Sequence, residues 1–133
     1  MKQLRARYGC PVELALEFVG GKWKTVILAH LKESPLRYRD LRQRLPTVSD
    51  KVLTERLKDL EQLGLVTKKQ LSEIKSASVY MLTERGESLR PVLDALCAWG
   101  TQVVGELPAQ INLGVTQLPA GSVQKPHEFT EGH

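Results

Sequence analysis

The chain has 133 residues, of which 41% are hydrophobic and 26% charged, so it has the size and composition of one globular domain and not of a disordered segment. It has no apolar run as long as a membrane span, no signal-peptide apolar region and no Cys/His cluster with zinc spacing. We therefore expect a cytoplasmic protein without a membrane partner, a metal or a cofactor. The net charge of +4 is uneven, because residues 1–69 hold 15 Lys and Arg against 8 Asp and Glu, whereas residues 70–133 hold 4 against 7. A basic first half favours a polyanionic partner.

The first predicted elements are two helices separated by Gly20-Gly21. Pro11 suits the first turn of a helix, where its missing N–H costs nothing, and the paired glycines supply a stop. Both helices carry apolar residues at helical spacing, and the second is expected to be mostly buried. These residues are Val12, Leu16 and Val19 in the first helix and Trp23, Val26, Ile27, Leu28 and Leu31 in the second.

A short helix and a longer amphipathic helix follow, joined by the turn "PTVS". The stretch "LRYRDLRQRLP" predicts an extended segment and then the short helix, which Pro46 closes. Ser49 is a good N-cap for the longer helix, and Gly64 ends it. The two helices and their turn have the proportions of a helix-turn-helix motif. The apolar face of the longer helix holds Leu53, Leu57 and Leu60, and its outward face holds Lys51, Thr54, Glu55, Lys58 and Gln62.

The second half of the chain predicts a hairpin and a last helix. The strands are "LVTKKQL" and "SVYMLT", around the polar connection "SEIKSA". Thr83 is suited to cap the last helix, in which Pro91 predicts a kink or a restart. The predicted fold class is therefore mainly α with a small β-hairpin, the winged helix-turn-helix arrangement. We expect this domain to span residues 1–104 and residues 105–133 to form a tail that is mobile or laid over a partner surface.

The winged-helix arrangement makes the amphipathic helix available to the major groove of DNA. On this interpretation the helix contacts base edges and nearby phosphates through Ser49, Lys51, Thr54, Glu55 and Lys58. Other phosphates are contacted by Arg37, Tyr38 and Arg39 before the motif and by Lys68, Lys69 and Lys75 on the hairpin. The alternatives are an ordinary solvated face, packing of Tyr38 against the protein, and ion pairs of Asp40 with Arg44 and of Arg56 with Asp59 or Asp40.

Three stretches together resemble the HxlR-type transcriptional regulators, which are relatives of the MarR-type winged-helix group. They are "CPVELALEFVGGKWKTVIL", "RYRDLRQRLPTVSDKVLTERLKDLEQLGLV" and "YMLTERGESLRPVLDALCAWG", and the similarity covers about residues 8–100. The resemblance implies a small homodimeric bacterial DNA-binding protein whose N- and C-terminal helices pair across a twofold axis. The chain departs from the family at "SEIKSAS", where prolines and an arginine are expected before the second strand.

The last predicted helix has a broad apolar side, with more apolar surface than one small domain can cover. This agrees with the implied dimer, and we assign to its interface Leu93, Leu96, Trp99 and Val103. Trp99 is the natural anchor, and its alternative role is to cover the core of its own chain. A twofold dimer would place two recognition helices about 34 Å apart, one turn of DNA, on a near-palindromic site.

Cys10 precedes Pro11 at the start of the first helix, where the helix dipole favours a thiolate, and Arg5 and Arg7 lie close in sequence. Several members of the family that the chain resembles use a cysteine at the matching position to sense oxidants or electrophiles. The resemblance makes Cys10 a candidate redox sensor, and the alternative is a small apolar residue buried at the dimer seam. Cys97 lies in the apolar stripe of the last helix and is expected in the core.

The sequence therefore predicts a regulator of transcription that binds double-stranded operator DNA as a homodimer. No Ser/His/Asp set, carboxylate pair or phosphate loop indicates an enzyme. Two alternatives stay open, namely a winged-helix module that docks protein without reading DNA and a regulator controlled by a small-molecule ligand instead of cysteine chemistry. The candidate effector is accordingly a small molecule or an electrophile.

Overall fold

The computed structural model describes residues 4–73, 77–109 and 111, and it has six helices and two strands in that part of the chain. In chain order they are α1 Pro11–Val19, α2 Lys22–Leu31, α3 Tyr38–Arg44, α4 Asp50–Gln62, β1 Val66–Gln70, β2 Ser78–Leu82, α5 Glu84–Glu87 and α6 Arg90–Val104. This order confirms the predicted fold class, a mainly helical winged helix-turn-helix with one hairpin.

The boundary between α1 and α2 lies at the two glycines, as the sequence predicted. Pro11 is in the first turn of α1 with Cys10 as the N-cap, and Gly20 ends the helix. Gly21 precedes α2 with φ of +88°, a left-handed conformation that glycine adopts at little cost. The second half of α2 is buried in the core, whereas α1 has no buried residue. Helix α1 therefore keeps Val12, Leu14 and Leu16 exposed within a single chain, while Phe18 packs against the core.

Helices α3 and α4 form the helix-turn-helix. The Asp40 carboxylate accepts a hydrogen bond from the Arg37 backbone N–H at 3.0 Å, which closes the start of α3. The Ser49 hydroxyl caps α4 by accepting from the Val52 N–H at 3.1 Å, so the predicted N-cap is confirmed. Gly64, with φ of +76°, follows the end of α4. The inward face of α4 is buried as the spacing predicted, through Leu53, Leu57 and Leu60.

Strands β1 and β2 pair antiparallel in a register that runs from Val66 opposite Leu82 to Gln70 opposite Ser78. The extended residue Leu36, just before α3, pairs with Tyr80 through backbone hydrogen bonds of 3.0 and 2.7 Å. This bridge connects the start of the helix-turn-helix to the hairpin. The hairpin tip, residues 74–76, lies outside the described residues.

The last helical region is divided in two, which agrees with a restart at Pro91. The Thr83 hydroxyl accepts from the Gly86 N–H at 3.1 Å and caps the short α5, and α6 then begins with Pro91 in its first turn. A proline within a continuous helix would remove one hydrogen bond and collide with the carbonyl four residues before it. A new helix start avoids both costs.

The core lies between α2, α3, α4, the hairpin and one residue of α6. An ion pair also connects α2 to α6, because the Lys32 ammonium lies 2.8 Å from Asp94 Oδ1 and 3.0 Å from Glu33 Oε2. The Lys32 side chain is only 1% exposed. A buried ammonium of this kind depends on its carboxylate partners, so Asp94 fixes α6 on the domain.

None of the helices in the described ranges has the length and apolar character needed to cross a lipid bilayer. Helix α6 ends at Val104, and most of the predicted tail, residues 105–133, lies outside the described residues.

Candidate DNA-binding surface

The outward face of α4 is exposed over most of its length in the described part of the chain. Lys51, Thr54, Glu55 and Lys58 are all exposed, and so is the capping residue Ser49. The side chains that reach this face from another helix do so at its N-terminal end, where the Tyr38 hydroxyl lies 3.5 Å from Thr54 Oγ1. Lys51, Thr54, Glu55 and Lys58 therefore lie on one accessible side of a helix whose opposite side is anchored in the core. Ser49 lies at the N-terminus of that helix.

Arg37 and Arg39, at the start of α3, are exposed. Tyr38 between them is partly buried against the core, and its hydroxyl donates to Asp50 Oδ1 at 2.7 Å. Partial burial, together with the nearby Asp50 carboxylate, raises the pKa of Tyr38 above its usual value. The Tyr38 hydroxyl is thus a hydrogen-bond donor at neutral pH. The Tyr38 side chain packs against the core, and its hydroxyl points to the start of α4.

Arg42 belongs to the same group of side chains, although the sequence did not predict a role for it. Its guanidinium Nε lies 3.0 Å from Asp50 Oδ1, and its Nη1 donates to the Val48 carbonyl. We call Tyr38, Arg42 and Asp50 the Asp50 cluster. The signal in the sequence was the spacing of Tyr38 and Arg42, four residues apart and hence on one face of α3; their common partner on α4 could be known only from the packing of the two helices.

The basic residues of the hairpin are arranged along β1. The Lys68 ammonium lies 5.6 Å from the centre of the Tyr80 ring, its partner on β2, which is a cation–π distance. Lys68 and Lys69 are exposed. Lys75 lies outside the described residues, so only the two strand lysines can be placed beside the helix-turn-helix.

The alternative ion pairs are only partly observed. Arg56 lies 3.2 Å from Asp59, which is one of the two partners that the sequence suggested for it. Asp40 bonds the Arg37 backbone, and Arg44 extends to the buried His30, where Nη1 and Nδ1 are 3.5 Å apart. Arg44 therefore contacts the core and contributes less to the outward charge than its neighbours Arg37 and Arg39.

Cys10 is exposed at the N-terminus of α1. Close to it, Arg5 forms a 2.9 Å ion pair with Glu13 and lies over the Tyr8 ring at 4.4 Å. Glu13 also accepts from the Gly9 N–H at 3.1 Å. The Arg5 charge is thus partly neutralised by Glu13, and the exposure of the thiol is the stronger argument for its reactivity.

A cleft of about 270 Å³ lies beside this helix start. Its walls are mostly apolar, and they are formed by Pro11, Leu14, Ala15, Phe18, Leu65, Arg85, Ser88 and Leu89. The Arg85 guanidinium lies 5.9 Å from the Phe18 ring and donates to the Leu63 carbonyl at 2.9 Å.

Cys97 differs from Cys10, because it is partly buried and burial raises the pKa of its thiol.

The residues assigned to a dimer interface are placed unequally. Trp99 is 66% exposed and Leu96 47%, while Val103 is partly buried. Leu93 is 1% exposed and packs in the core of its own chain. This burial corrects the sequence interpretation for Leu93, because its side of α6 faces α2 and the rest of the domain. The exposed apolar residues of the two terminal helices are instead Val12, Leu14 and Leu16 on α1 and Val92, Leu96 and Trp99 on α6.

The fold and this surface define a winged helix-turn-helix regulator of transcription. A family model described as HxlR-like helix-turn-helix matches residues 18–107, and the chain belongs to this family of DNA-binding regulators. The family and its relatives are transcriptional regulators and not enzymes, as the sequence analysis predicted.

Similar proteins support this membership. An HTH-type transcriptional regulator of Methanothermobacter thermautotrophicus is 42% identical over 93 residues, which cover 70% of this chain and 71% of that protein. Among solved structures, the redox regulator HypR in its oxidised form is 32% identical with a TM-score of 0.66, covering 70% of this chain and 96% of HypR. Quinone-bound YodB from Bacillus subtilis is 35% identical with a TM-score of 0.58, covering 70% of this chain and 99% of YodB.

Proposed function

We propose that the protein is a sequence-specific DNA-binding regulator that acts as a cytoplasmic homodimer and inserts α4 into the major groove of operator DNA. The observation that carries this proposal is that α4 has two different faces. Its leucines are buried, whereas Lys51, Thr54 and Lys58 are exposed on the opposite side. Side chains near the N-terminus of such a helix reach base edges, and cations further along it reach phosphates. Ser49, Lys51 and Thr54 therefore read bases, and Glu55 accepts from a cytosine amino group.

The phosphate contacts in this proposal come from the flanks. Arg37 and Arg39 lie exposed before α3, and Lys68 and Lys69 lie exposed on β1. Such contacts fix the position of the protein on the duplex and carry no sequence information. They also make binding dependent on salt, since each phosphate that is neutralised releases condensed counterions.

A binding assay with matched variants tests these roles. Lys51→Ala and Thr54→Ala should each reduce the preference for a duplex from the upstream region of the protein's own gene over a mixed-sequence duplex, by roughly five- to a hundredfold. Arg37→Ala and Arg39→Ala should instead weaken binding to both duplexes by similar factors. Fluorescence anisotropy at several salt concentrations measures both effects.

Two results would contradict the assignment. If all four variants lose affinity for both duplexes equally, α4 does not read bases. If the wild-type protein binds neither duplex at low salt, the alternative of a winged-helix module that docks protein becomes the better account.

We further propose that Cys10 is the sensor of oxidants or electrophiles. The thiol is exposed at a helix N-terminus, next to the apolar cleft that Pro11 and Leu14 line. Two similar structures, of the redox regulator HypR and of quinone-bound YodB, lend support from proteins of the same fold. An oxidant or a quinone that reacts at Cys10 would alter the start of α1 and, through it, the pairing of subunits.

Substitution of each cysteine in turn distinguishes a specific role of Cys10 from general oxidation of the protein. Cys10→Ser should keep DNA binding and lose its response to diamide and to a quinone. Cys97→Ser is the matched control and should keep the response, because the Cys97 thiol is partly buried with a raised pKa. A Cys10→Ser protein that still releases DNA on diamide treatment would remove Cys10 from the mechanism.

The cleft also favours a second candidate, control by a small molecule that binds without covalent chemistry. Its volume of about 270 Å³ is near the lower end of ligand pockets, and its walls are mainly apolar with one guanidinium. Ala15→Phe should fill the cleft and abolish such a response while Cys10→Ser leaves it intact. Thermal-shift screening of both variants against quinones and aromatic acids distinguishes the two modes of control.

A further inference from the structure

Arg42 donates through Nη1 to the Val48 carbonyl, which leaves its Nε–H for other partners. The Asp50 carboxylate occupies this donor and the Tyr38 hydroxyl, two groups that would otherwise be available to a phosphate. Its Oδ1 accepts from the Tyr38 hydroxyl at 2.7 Å and lies 3.0 Å from Arg42 Nε. Both donors come from α3, and the acceptor is the first residue of α4. One oxygen thus connects the two helices of the motif at the end of α4 that faces DNA in the proposed function.

The donors in this cluster are of the kind that proteins use to bind DNA phosphates. Tyrosine hydroxyls and arginine guanidiniums are regular partners of phosphate oxygens, and guanidinium binds carboxylate and phosphate with similar geometry. The Asp50 side chain is 74% exposed and that of Arg42 is 30% exposed, so the cluster is open to solvent. An approaching phosphate would therefore meet the same two donors that the carboxylate already occupies, and would also be repelled by its charge.

We propose that Asp50 is an internal competitor for DNA phosphate, which limits the sequence-independent part of DNA binding by occupying Tyr38 and Arg42. The inference rests on the proposed DNA-binding function and deepens it. A phosphate gains the Tyr38 and Arg42 contacts only by displacing the carboxylate, so these two residues contribute little to binding at random sites. Because a genome offers a large excess of such sites, weaker binding to them leaves more protein free to bind the operator.

The Asp50 carboxylate also has two structural roles in the helix-turn-helix. A carboxylate in the first turn of α4 interacts favourably with the helix dipole, and Asp50 connects α3 to α4 through Tyr38 and Arg42. It therefore positions the two helices and restrains the phosphate donors at the same time.

The test compares Asp50→Ala and Asp50→Asn with Glu61→Ala and Glu61→Gln in binding to a mixed-sequence duplex. Glu61 is exposed on the same helix, eleven residues away from Asp50, or about 16 Å along the axis, beyond a Debye length of about 10 Å. Asp50→Ala should bind the duplex roughly three- to tenfold more tightly, and its salt dependence should steepen by about one phosphate contact. Asp50→Asn should gain less, because its amide oxygen still accepts from Tyr38 and Arg42. Both Glu61 variants should show only the small gain that follows from removing one negative charge, without the steeper salt dependence.

A second set of variants separates competition for donors from simple charge repulsion. In the background Tyr38→Phe with Arg42→Gln, the Asp50→Ala gain should fall to the small effect of charge, and the steeper salt dependence should disappear. Urea unfolding of each variant verifies that the fold is kept, and Asp50→Ser, which also lacks the carboxylate, replaces Asp50→Ala if the alanine variant is too unstable.

Three outcomes would overturn the inference: no gain in Asp50→Ala, equal gains in Asp50→Ala and Asp50→Asn, or an undiminished gain without Tyr38 and Arg42. Failure of the wild-type protein to bind any duplex would be a different result. It would overturn the proposed DNA-binding function itself, and with it the role of Asp50.

Discussion

Single buried polar residues connect the helices of this small domain. His30 on α2 is fully buried, its Nδ1 lies 3.5 Å from Arg44 on α3, and its Nε2 has no hydrogen-bond partner among the described residues. Burial, and secondarily the Arg44 charge, lower the pKa of His30 below its usual value. The folded protein therefore resists protonation of the imidazole, because the positive charge would be both desolvated and repelled by Arg44.

The lowered pKa of His30 predicts a loss of stability in mild acid. The unfolded chain takes up a proton near the ordinary pKa of 6.5, whereas the folded chain resists it. The contribution to stability is complete above that pH and is lost as the pH falls through and below it, by at most about 1.4 kcal/mol per pH unit. Urea unfolding between about pH 7.5 and pH 5.5 should show a smaller change in the free energy of unfolding for His30→Leu than for wild type. Equal pH dependence in the two proteins would contradict this account.

The ion pair of Lys32 and Asp94 predicts a non-additive pair of mutations. Asp94→Ala removes one of the two carboxylates that pair with Lys32, whose side chain is only 1% exposed. The substitution should cost about 2 kcal/mol of stability. Lys32→Met combined with Asp94→Ala should cost less than Asp94→Ala alone, because no buried charge remains. Denaturant unfolding of the double-mutant cycle measures this, and additive costs would show that Asp94 does not compensate the charge on Lys32.

At the scale of elements, the start of α4 combines three tasks within a few residues. Ser49 caps the helix, Asp50 connects it to α3, and Lys51 begins the exposed face. The residues that stabilise the fold and the residues proposed to bind DNA are therefore close together in sequence. Substitutions there must be chosen to change stability without changing DNA binding, or the reverse.

Ser49 allows that separation. Ser49→Ala removes the hydrogen bond to the Val52 N–H and should lower the free energy of unfolding by about 1 kcal/mol. Ser49→Asp keeps a capping oxygen and should retain stability, but its charge should weaken binding to every duplex. Unfolding and anisotropy titrations on the same samples measure both. A loss of DNA affinity in Ser49→Ala only, with normal affinity in Ser49→Asp, would contradict the proposed position of Ser49 at the DNA.

Local sequence patterns were sufficient to predict most of these elements. The caps at Ser49 and Thr83, the buried leucines of α4 and the break at Pro91 depend on residues within one or two turns of each other. The Asp50 cluster could not be predicted, because Tyr38 and Asp50 are twelve residues apart and meet only when α3 packs on α4.

The apolar side of α6 shows the same limit. Hydrophobicity alone did not distinguish Leu93, which packs in its own core, from Leu96 and Trp99, which stay exposed. The direction in which each apolar residue of one helix faces is set by the position of α6 against α2, and therefore by tertiary contacts such as that of Lys32 with Asp94.

At the scale of the whole molecule, the single chain leaves large apolar side chains on both terminal helices exposed to water. Val12 and Leu16 on α1 and Leu96 and Trp99 on α6 are each more than two-fifths exposed. Monomeric proteins seldom leave so many large apolar residues exposed on two helices. A second copy of the chain is the partner that the proposed homodimer supplies, and its twofold axis would set the spacing of the two α4 helices.

The proposed dimer predicts that Trp99→Glu yields a folded monomer. The Trp99 side chain is 66% exposed, so its loss should change the circular dichroism spectrum little while dissociating the dimer. Leu71→Glu is the matched control, because Leu71 is also exposed but lies just after β1. Analytical ultracentrifugation should show monomer for Trp99→Glu and dimer for Leu71→Glu. A wild-type protein that is monomeric at micromolar concentration would contradict the dimer.

The most direct test of α4 as the reading helix is selection of bound sequences from a randomised duplex pool by wild type and by the Lys51→Ala, Thr54→Ala double variant. The wild-type protein should enrich a near-palindrome whose half-sites are about 10 base pairs apart, centre to centre. The double variant should still retain DNA but lose the preference at particular positions within each half-site. Enrichment of the same sequence by both proteins, or of none by the wild type, would contradict the account.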